Sequence, residues 1–258
     1  MAIRDSRRRR GPARCTVTAV SRPTPRMVRV QLRGDDLVGV MATGPDQRVK
    51  LAFPTGRTFG DDQAEAGAAR RRRRTYTLLD LDSENGTAAV EFVVHGGGLA
   101  GDWAEQALPG DEVDVTGPVG TYEIDREAAG HLLICDETGI PAARAIVAEL
   151  LEVGATDLRV YVEVADEAER VPLPIREVTW LPRGDRRPGE PMAALADDLT
   201  CPADTQVWIA GEAAAVRTLR THLVAGLGLD RRRVSAVAYW AAGHAEGDPA
   251  AGRPGEHA

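Results

Sequence analysis

Arg74-Thr75-Tyr76-Thr77 opens an apparent strand, Arg74 to Leu79, and the other segments take their meaning from it. In extended backbone successive side chains alternate between faces. Arg74 and Tyr76 therefore share one side, while Thr77 points to the other or engages through its backbone. A fixed cation, an aromatic surface and a hydroxyl fall close together. Such a set suits a ligand with a charged linker and a flat ring; it also suits an ordinary exposed strand beside a basic loop. The flanking sequence has to choose.

Upstream, Cys15 to Val20, the alternating Val28, Val30 and Leu32, and Arg48 to Phe53 read as short strands, with Pro23 and Pro25 marking a turn. Phe59 to Arg73, rich in Asp, Ala, Gly and Arg, reads as a flexible insertion. Downstream, Asn85-Gly86 is a tight-turn signal leading to Ala88 to Val94. Gly96-Gly97-Gly98 opens a short helix ending near Leu108, and Glu112 to Thr116 precedes the turn Gly117-Pro118-Val119-Gly120. Six short strands with turn residues between them predict a six-stranded antiparallel barrel.

Beyond about residue 130 the pattern changes. His131 to Cys135, Leu158 to Val164, Glu177 to Leu181, Gln206 to Ala210 and Val234 to Tyr239 read as strands. Helical spacing in Ile140, Ala143, Val147 and Leu150, in Met192 to Leu199, and in Glu212 to Ala225 separates them. Alternating strands and helices predict a parallel sheet covered on both faces. The chain thus divides into a disordered basic tail (1–14), a barrel domain (15–125), an α/β domain (130–243) and a flexible tail (244–258).

Composition agrees with two domains: 258 residues, 43% hydrophobic and 28% charged, are those of a soluble globular protein. No apolar run reaches the length of a membrane span and the N-terminus lacks a signal-peptide core, so no membrane insertion and a cytoplasmic location are expected. Cys15, Cys135 and Cys201 are far apart and form no CxxC, which argues against a disulfide framework or a zinc site. Arginine blocks occur at Arg7 to Arg10, Arg70 to Arg74 and Arg231 to Arg233. With a net charge of −7 and no accompanying motif, they do not indicate nucleic-acid binding. Lys50 is the only lysine among 32 basic residues, which marks it either as a needed compact ammonium or as an exposed strand residue.

The glycine run His95-Gly96-Gly97-Gly98-Leu99-Ala100-Gly101 lets a pyrophosphate approach backbone at a helix start, with Arg74 as counter-charge. Together with Tyr76 and Thr77 it fits a flavin dinucleotide. His95 reads as a ligand contact or as a structural strand-end histidine. Open parallel sheets bind ligands beyond the carboxyl ends of their strands. Two such ends are Cys135-Asp136-Glu137-Thr138-Gly139 and Ala210-Gly211-Glu212. Thr138 also suits an N-cap and Gly211 a tight turn, and neither segment is a GxGxxG fingerprint.

The order of motifs resembles the siderophore-interacting protein family, flavin-dependent ferric-siderophore reductases of the ferredoxin-reductase superfamily. The matching segments are Arg48-Val49-Lys50-Leu51-Ala52-Phe53-Pro54, Arg74-Thr75-Tyr76-Thr77, Val94-His95-Gly96, Ala100-Gly101-Asp102-Trp103-Ala104, Gly110-Asp111, Gly117-Pro118-Val119-Gly120, Asp136-Glu137-Thr138, Trp208-Ile209-Ala210-Gly211-Glu212 and Tyr239-Trp240. The resemblance implies an FAD-binding barrel followed by an NAD(P)H-type reductase domain. It implies that Arg74, Tyr76 and Thr77 hold FAD, with His95, Gly96, Ala100, Gly101, Trp103, Asp136 and Thr138 as further cofactor positions. Gly211, Glu212, Tyr239 and Trp240 fall on the nicotinamide side, and Lys50 on the substrate side; no protein metal ligand is implied. The chain departs from the family at Val119, Ala241 and Ala242, where basic residues are common. That leaves room for a neutral or cationic hydroxamate-type ferric complex.

The activity implied is transfer of electrons from NADH or NADPH through FAD to a ferric siderophore, by a monomer. Glu163 and Asp166, at the end of the second α/β strand, favour NADH through the free ribose 2′-hydroxyl. Ferredoxin is an alternative donor. Two rival readings are a flavin reductase of the same fold with a different acceptor, and a non-catalytic flavin- or nucleotide-binding module.

Overall fold

The structure, a computed structural model, describes residues 12–53, 73–96, 98–120 and 122–244. The expected tails up to residue 11 and from residue 245, with Arg7 to Arg10 and all but the last residue of the insertion 59–73, lie outside the described residues.

The first domain is a seven-stranded antiparallel sheet of β1 (Ala13–Thr24), β2 (Met27–Arg33), β3 (Arg48–Ala52), β4 (Arg73–Thr77), β5 (Leu79–Asp82), β6 (Thr87–Val93) and β7 (Glu112–Val119), in the order β4-β3-β7-β1-β2-β6-β5. The two outer strands, β4 and β5, are consecutive in the chain with only Leu78 between them. The sheet must therefore curl until its edges meet, and closure runs through the covalent chain. The expected six strands become seven because the run Arg74 to Leu79 is not one strand. Leu78 is buried and its N–H bonds the carbonyl of Gln47 at 2.9 Å, which takes it out of the ladder and turns the chain across the barrel. β1 starts two residues earlier than expected because Ala13 and Arg14 pair with Val115 and Asp114 of β7. It also continues through Pro23 to Thr24, which pairs with Met27.

A glycine-led helix, α1 (Leu99–Gln106), packs Ala100 and Ala104 into the barrel core beside Val90 and Phe92.

The second domain is a five-stranded parallel sheet, β10-β9-β8-β11-β12, made of β8 (Gly130–Cys135), β9 (Leu158–Val164), β10 (Thr179–Pro182), β11 (Thr205–Glu212) and β12 (Val234–Trp240). Every residue of β8 and β11 is buried, as a sheet covered on both faces requires. Leu133 and Cys135 face α2 (Ile140–Glu152), whereas Leu132 and Ile134 face α3 (Glu190–Ala194) and α4 (Ala213–Thr221). Burying side chains of this size contributes about 1.5–3 kcal/mol each.

The two domains share core and polar contacts. Met27 and Tyr122 belong to the same buried cluster as α2. Arg144 on α2 grips Glu91 of β6 through two bonds of 2.9 and 3.2 Å, and Arg29 reaches the same carboxylate at 2.8 Å. At the opposite margin the buried Glu169 accepts from Thr24 Oγ1 at 2.5 Å and from the Arg26 amide at 3.2 Å. These contacts fix the cleft between barrel and sheet before any ligand arrives.

Candidate active site

Strand β4 supplies one wall of the cleft. Register places Arg74 beside Leu51 and Tyr76 beside Val49, both core residues, while Thr75 and Thr77 lie beside Lys50 and Arg48 on the outer face. Tyr76 packs on Phe92 with ring centroids 4.5 Å apart, and Trp103 packs on Phe53 and Phe92 at 5.1 and 5.8 Å. The structure thus gathers Tyr76 and Trp103 into one aromatic cluster at the barrel mouth. Arg74 is half-buried and donates to the carbonyl of Arg73 at 2.9 Å.

Beyond β6, His95 and Gly96 are exposed, and Gly96 has a φ of +74° with nothing within 4 Å of the position a Cβ would take. Gly98, at φ +108°, opens α1 without a side-chain cap, leaving the first helical amides available to an acceptor. Ala100 is buried and Gly101 half-buried under this turn. An anionic dinucleotide fits these groups. The clearest sign is Arg73, whose buried Nε has no hydrogen-bond partner among the described residues. A buried guanidinium nitrogen left unpaired is costly unless an anion completes it.

The other wall is the carboxyl end of the parallel sheet. Its strand order reverses between β8 and β11, the point at which α/β sheets open a crevice. Asp136, at the end of β8, is 1% exposed and bonds entirely within the chain. It accepts from the Thr138 amide (2.9 Å) and hydroxyl (2.5 Å), the Glu212 amide (2.9 Å) and Trp240 Nε1 (2.8 Å). Burial pushes its pKa up while these donors pull it down. Gly211 allows the approach: a Cβ there would sit 2.5 Å from Asp136 Oδ2, at a φ of +142°. Glu212 in turn caps α4 through the Ala214 and Ala215 amides at 2.6 and 3.0 Å and holds the Ala242 amide at 3.3 Å.

Tyr239 joins the two walls. Its ring meets Trp208 edge-on at 6.4 Å, burial raises its pKa far above the ordinary tyrosine range, and Thr77 of β4 lies near enough to its hydroxyl to pull the other way. Glu137 follows Asp136 and pairs with Arg183 at 3.2 Å; burial first, then the Asp136 charge, lifts its carboxyl to about 7. Arg183 also binds Glu163 at 3.0 Å.

Glu163 differs from its expected role. It is 0% exposed, and besides Arg183 it accepts from the Gly189 and Met192 amides at 2.8 and 3.0 Å, anchoring α3. A carboxylate enclosed in this way is not presented to a ribose. Asp166 is exposed and caps the following turn through the Ala168 amide. Lys50 is exposed on β3 between Thr75 of β4 and Thr116 of β7. Its neighbour Arg48 is tied to Asp46 at 3.4 Å, and Val119, opposite Arg48, is 57% exposed.

Sequence reasoning missed Arg73, Glu137 and Arg183. Arg73 was legible as the residue beside Arg74. Arg183 carries no local signal, since it meets Glu137 across 46 positions of sequence.

Residues 16–122 match the siderophore-interacting FAD-binding domain and residues 128–243 the siderophore-interacting protein model. The chain is 32% identical over 237 residues to the NADPH-dependent ferric-chelate reductase of Escherichia coli, covering 87% of this chain and 91% of that protein. It is 26% identical to the ferric vibriobactin reductase of Vibrio cholerae, over 85% of this chain and 86% of the relative. Among solved structures, a siderophore utilization protein from T. fusca superposes with a TM-score of 0.78 at 34% identity, covering 91% of this chain and 94% of that one. Phthalate dioxygenase reductase, at 16% identity and a TM-score of 0.68 over 91% of this chain and 70% of its own, shares the two-domain fold. The chain belongs to the siderophore-interacting protein family, with its FAD-binding domain at residues 16–122.

Proposed function

We propose that this protein is a flavin-dependent reductase that takes electrons from NADPH and delivers them to a ferric siderophore, releasing Fe(II). The observation that carries the reading is the approach of Thr77 to Tyr239, which sets the flavin-side strand against the end of the parallel sheet. A hydride donor over the sheet and a ring system over β4 would meet there.

Arg73 and Arg74 would take the pyrophosphate together with the first amides of α1 and the open backbone at Gly96. Tyr76 would lie against the ring system, backed by Phe92 and Trp103, and Thr77 would contact its reactive edge. His95 stands at the rim of this site. Asp136 and Thr138 act by position, fixing the end of β8 against Gly211, Glu212 and Trp240 beside the nicotinamide. FAD, when bound, turns a two-electron hydride donor into a source of single electrons. Hard oxygen ligands hold Fe(III) more firmly than Fe(II), so reduction loosens the chelate and the protein needs no iron site of its own.

NADPH is preferred over NADH in this reading. The expectation of NADH rested on Glu163 and Asp166, and Glu163 is enclosed. Arg186 and Arg187 lie beyond β10, beside the end of β9, where an arginine accommodates a 2′-phosphate. Similarity to the NADPH-dependent ferric-chelate reductase of E. coli supports the same choice.

On the acceptor side, Lys50 on β3 and Val119 on the neighbouring β7 are both exposed, and Arg48, opposite Val119, is paired with Asp46. That surface favours a ferric complex of low charge, such as a hydroxamate. The same low charge favours, as a second reading, a flavin reductase with a non-siderophore acceptor.

The test is the visible spectrum of the purified protein, followed by anaerobic NADPH, NADH or reduced ferredoxin with and without ferric hydroxamate or catecholate and an Fe(II) indicator. A flavin spectrum bleached by NADPH and restored by the ferric complex, with Fe(II) appearing, is expected. Bleaching without Fe(II) from either class leaves the second reading; a colourless protein that takes up no FAD sinks both.

A further inference from the structure

We propose that Asp46 is a positioning residue that pairs Arg48 beside the reactive edge of the flavin and so keeps the reduction potential of that flavin low. This rests on placing the ring system over β4 with its reactive edge at Thr77.

Antiparallel register sets Arg48 of β3 opposite Thr77 of β4, on the outer face of the barrel. On its other flank Arg48 faces Val119 of β7, so neither of its cross-strand partners carries a charge. Lys50 follows further along the same face, opposite Thr75 and Thr116. Of these two β3 cations, Arg48 is the one level with Thr77. Arg48 and Asp46 both act on the hydroxyl of Tyr239 from across the cleft, which puts the pair where the two walls approach.

The pair has a direction. The Asp46 side chain is 2% exposed and that of Arg48 20%. Asp46 Oδ1 accepts from the Tyr122 amide at 3.2 Å, and Oδ2 accepts from Arg48 Nη1 at 3.4 Å. The turn at Gly117-Pro118-Val119-Gly120 closes over both residues. A Cβ at Gly120 would lie 2.9 Å from Asp46 Oδ1, and one at Gly117 would lie 3.1 Å from the Arg48 carbonyl oxygen. The carboxylate is therefore held behind the guanidinium, and the guanidinium is the end that reaches the surface.

A flavin gains negative charge as it is reduced, so a cation at its edge favours the reduced form and raises its potential. A buried carboxylate held against that cation opposes its field. Chelates that hold Fe(III) most firmly are the hardest to reduce, and a flavin kept at low potential reaches more of them.

Asp46→Asn removes the charge while keeping the shape and an oxygen for the Tyr122 amide. Anaerobic equilibrium titration of the FAD-loaded protein against a redox dye of known potential reads the effect. At a fixed poise, the ratio of reduced to oxidised flavin should rise about 3- to 10-fold in Asp46→Asn, the size expected of one partly screened charge. The double variant Asp46→Asn with Arg48→Gln leaves no buried charge stripped of its partner. Its ratio should fall below wild type, because the guanidinium end is lost. An unchanged ratio in Asp46→Asn overturns the inference. A double variant at or above wild type also overturns it, and that comparison stands even where the single variant fails to fold. Either result leaves the flavin placement intact. Failure of the wild-type protein to take up FAD overturns that placement, and the inference with it.

Discussion

Trp240, at the end of β12, donates its indole N–H to the carboxylate of Asp136 at the end of β8, at 2.8 Å. The two strands are not neighbours: β11 lies between them. This bond therefore spans the crevice end of the sheet and holds its last strand to its central one.

Replacing Trp240 by Phe keeps the ring and removes the donor. A buried carboxylate then loses one of its four donors, at a cost of about 1–3 kcal/mol. Urea denaturation should show the midpoint fall with the slope unchanged. An unaltered midpoint would mean that the bond contributes nothing to the fold.

Gly211→Ala puts a methyl where Asp136 Oδ2 already lies 2.5 Å from the Cβ position, on backbone at φ +142°. Strain of this kind costs about 1–3 kcal/mol. It should also displace Asp136 and Glu212, raising the KM for NADPH several-fold more than it lowers kcat. Steady-state kinetics beside a thermal melt separates the two effects.

Arg74→Ala should lower FAD occupancy, read as the ratio of absorbance near 450 nm to 280 nm after gel filtration. Arg73→Met tests in the same way the Nε that has no partner among the described residues. Full flavin retention in both variants would remove the β4 arginines from the pyrophosphate.

Arg144→Met deprives the buried Glu91 of its two-bond partner on α2, leaving Arg29. Because one cation remains, the cost should be about 1–3 kcal/mol, below that of stripping a buried charge of all partners. Scanning calorimetry should show a lower Tm and a broader transition as the domains uncouple.

Stability should also follow pH through Glu137. Its folded carboxyl is raised from 4.5 to about 7, so between these values the folded protein keeps a proton that the unfolded chain has lost. Stability therefore falls as pH rises across that window, and the loss is complete above it. Glu137→Gln should flatten this part of the Tm–pH curve; an equal slope in wild type and variant would rule Glu137 out as its source.

How much of this was legible beforehand varies by residue. Alternation at Val28, Val30 and Leu32 gave β2, and the uninterrupted apolar run ending at Cys135 gave a strand buried on both faces, because burial pattern is written locally. The Leu78 break was not legible, since it depends on Gln47, which is distant in the chain. Glu163 misled for the same reason: its position at a strand end was right, but its partners come from just beyond β10 and from the start of α3.

By itself the sequence determined the two-domain order, the strand that carries Arg74, Tyr76 and Thr77, and the strand ends that face a crevice, since all of these follow from local periodicity and turn chemistry. Only the tertiary structure decided which charged groups remain available to a ligand. Arg73 is left with a nitrogen unpaired among the described residues, Asp136 and Glu163 are enclosed, and Glu137 is poised near neutrality. The physical reason is that the charge state and availability of a side chain are set by desolvation and by partners brought from distant positions, neither of which a neighbouring residue records.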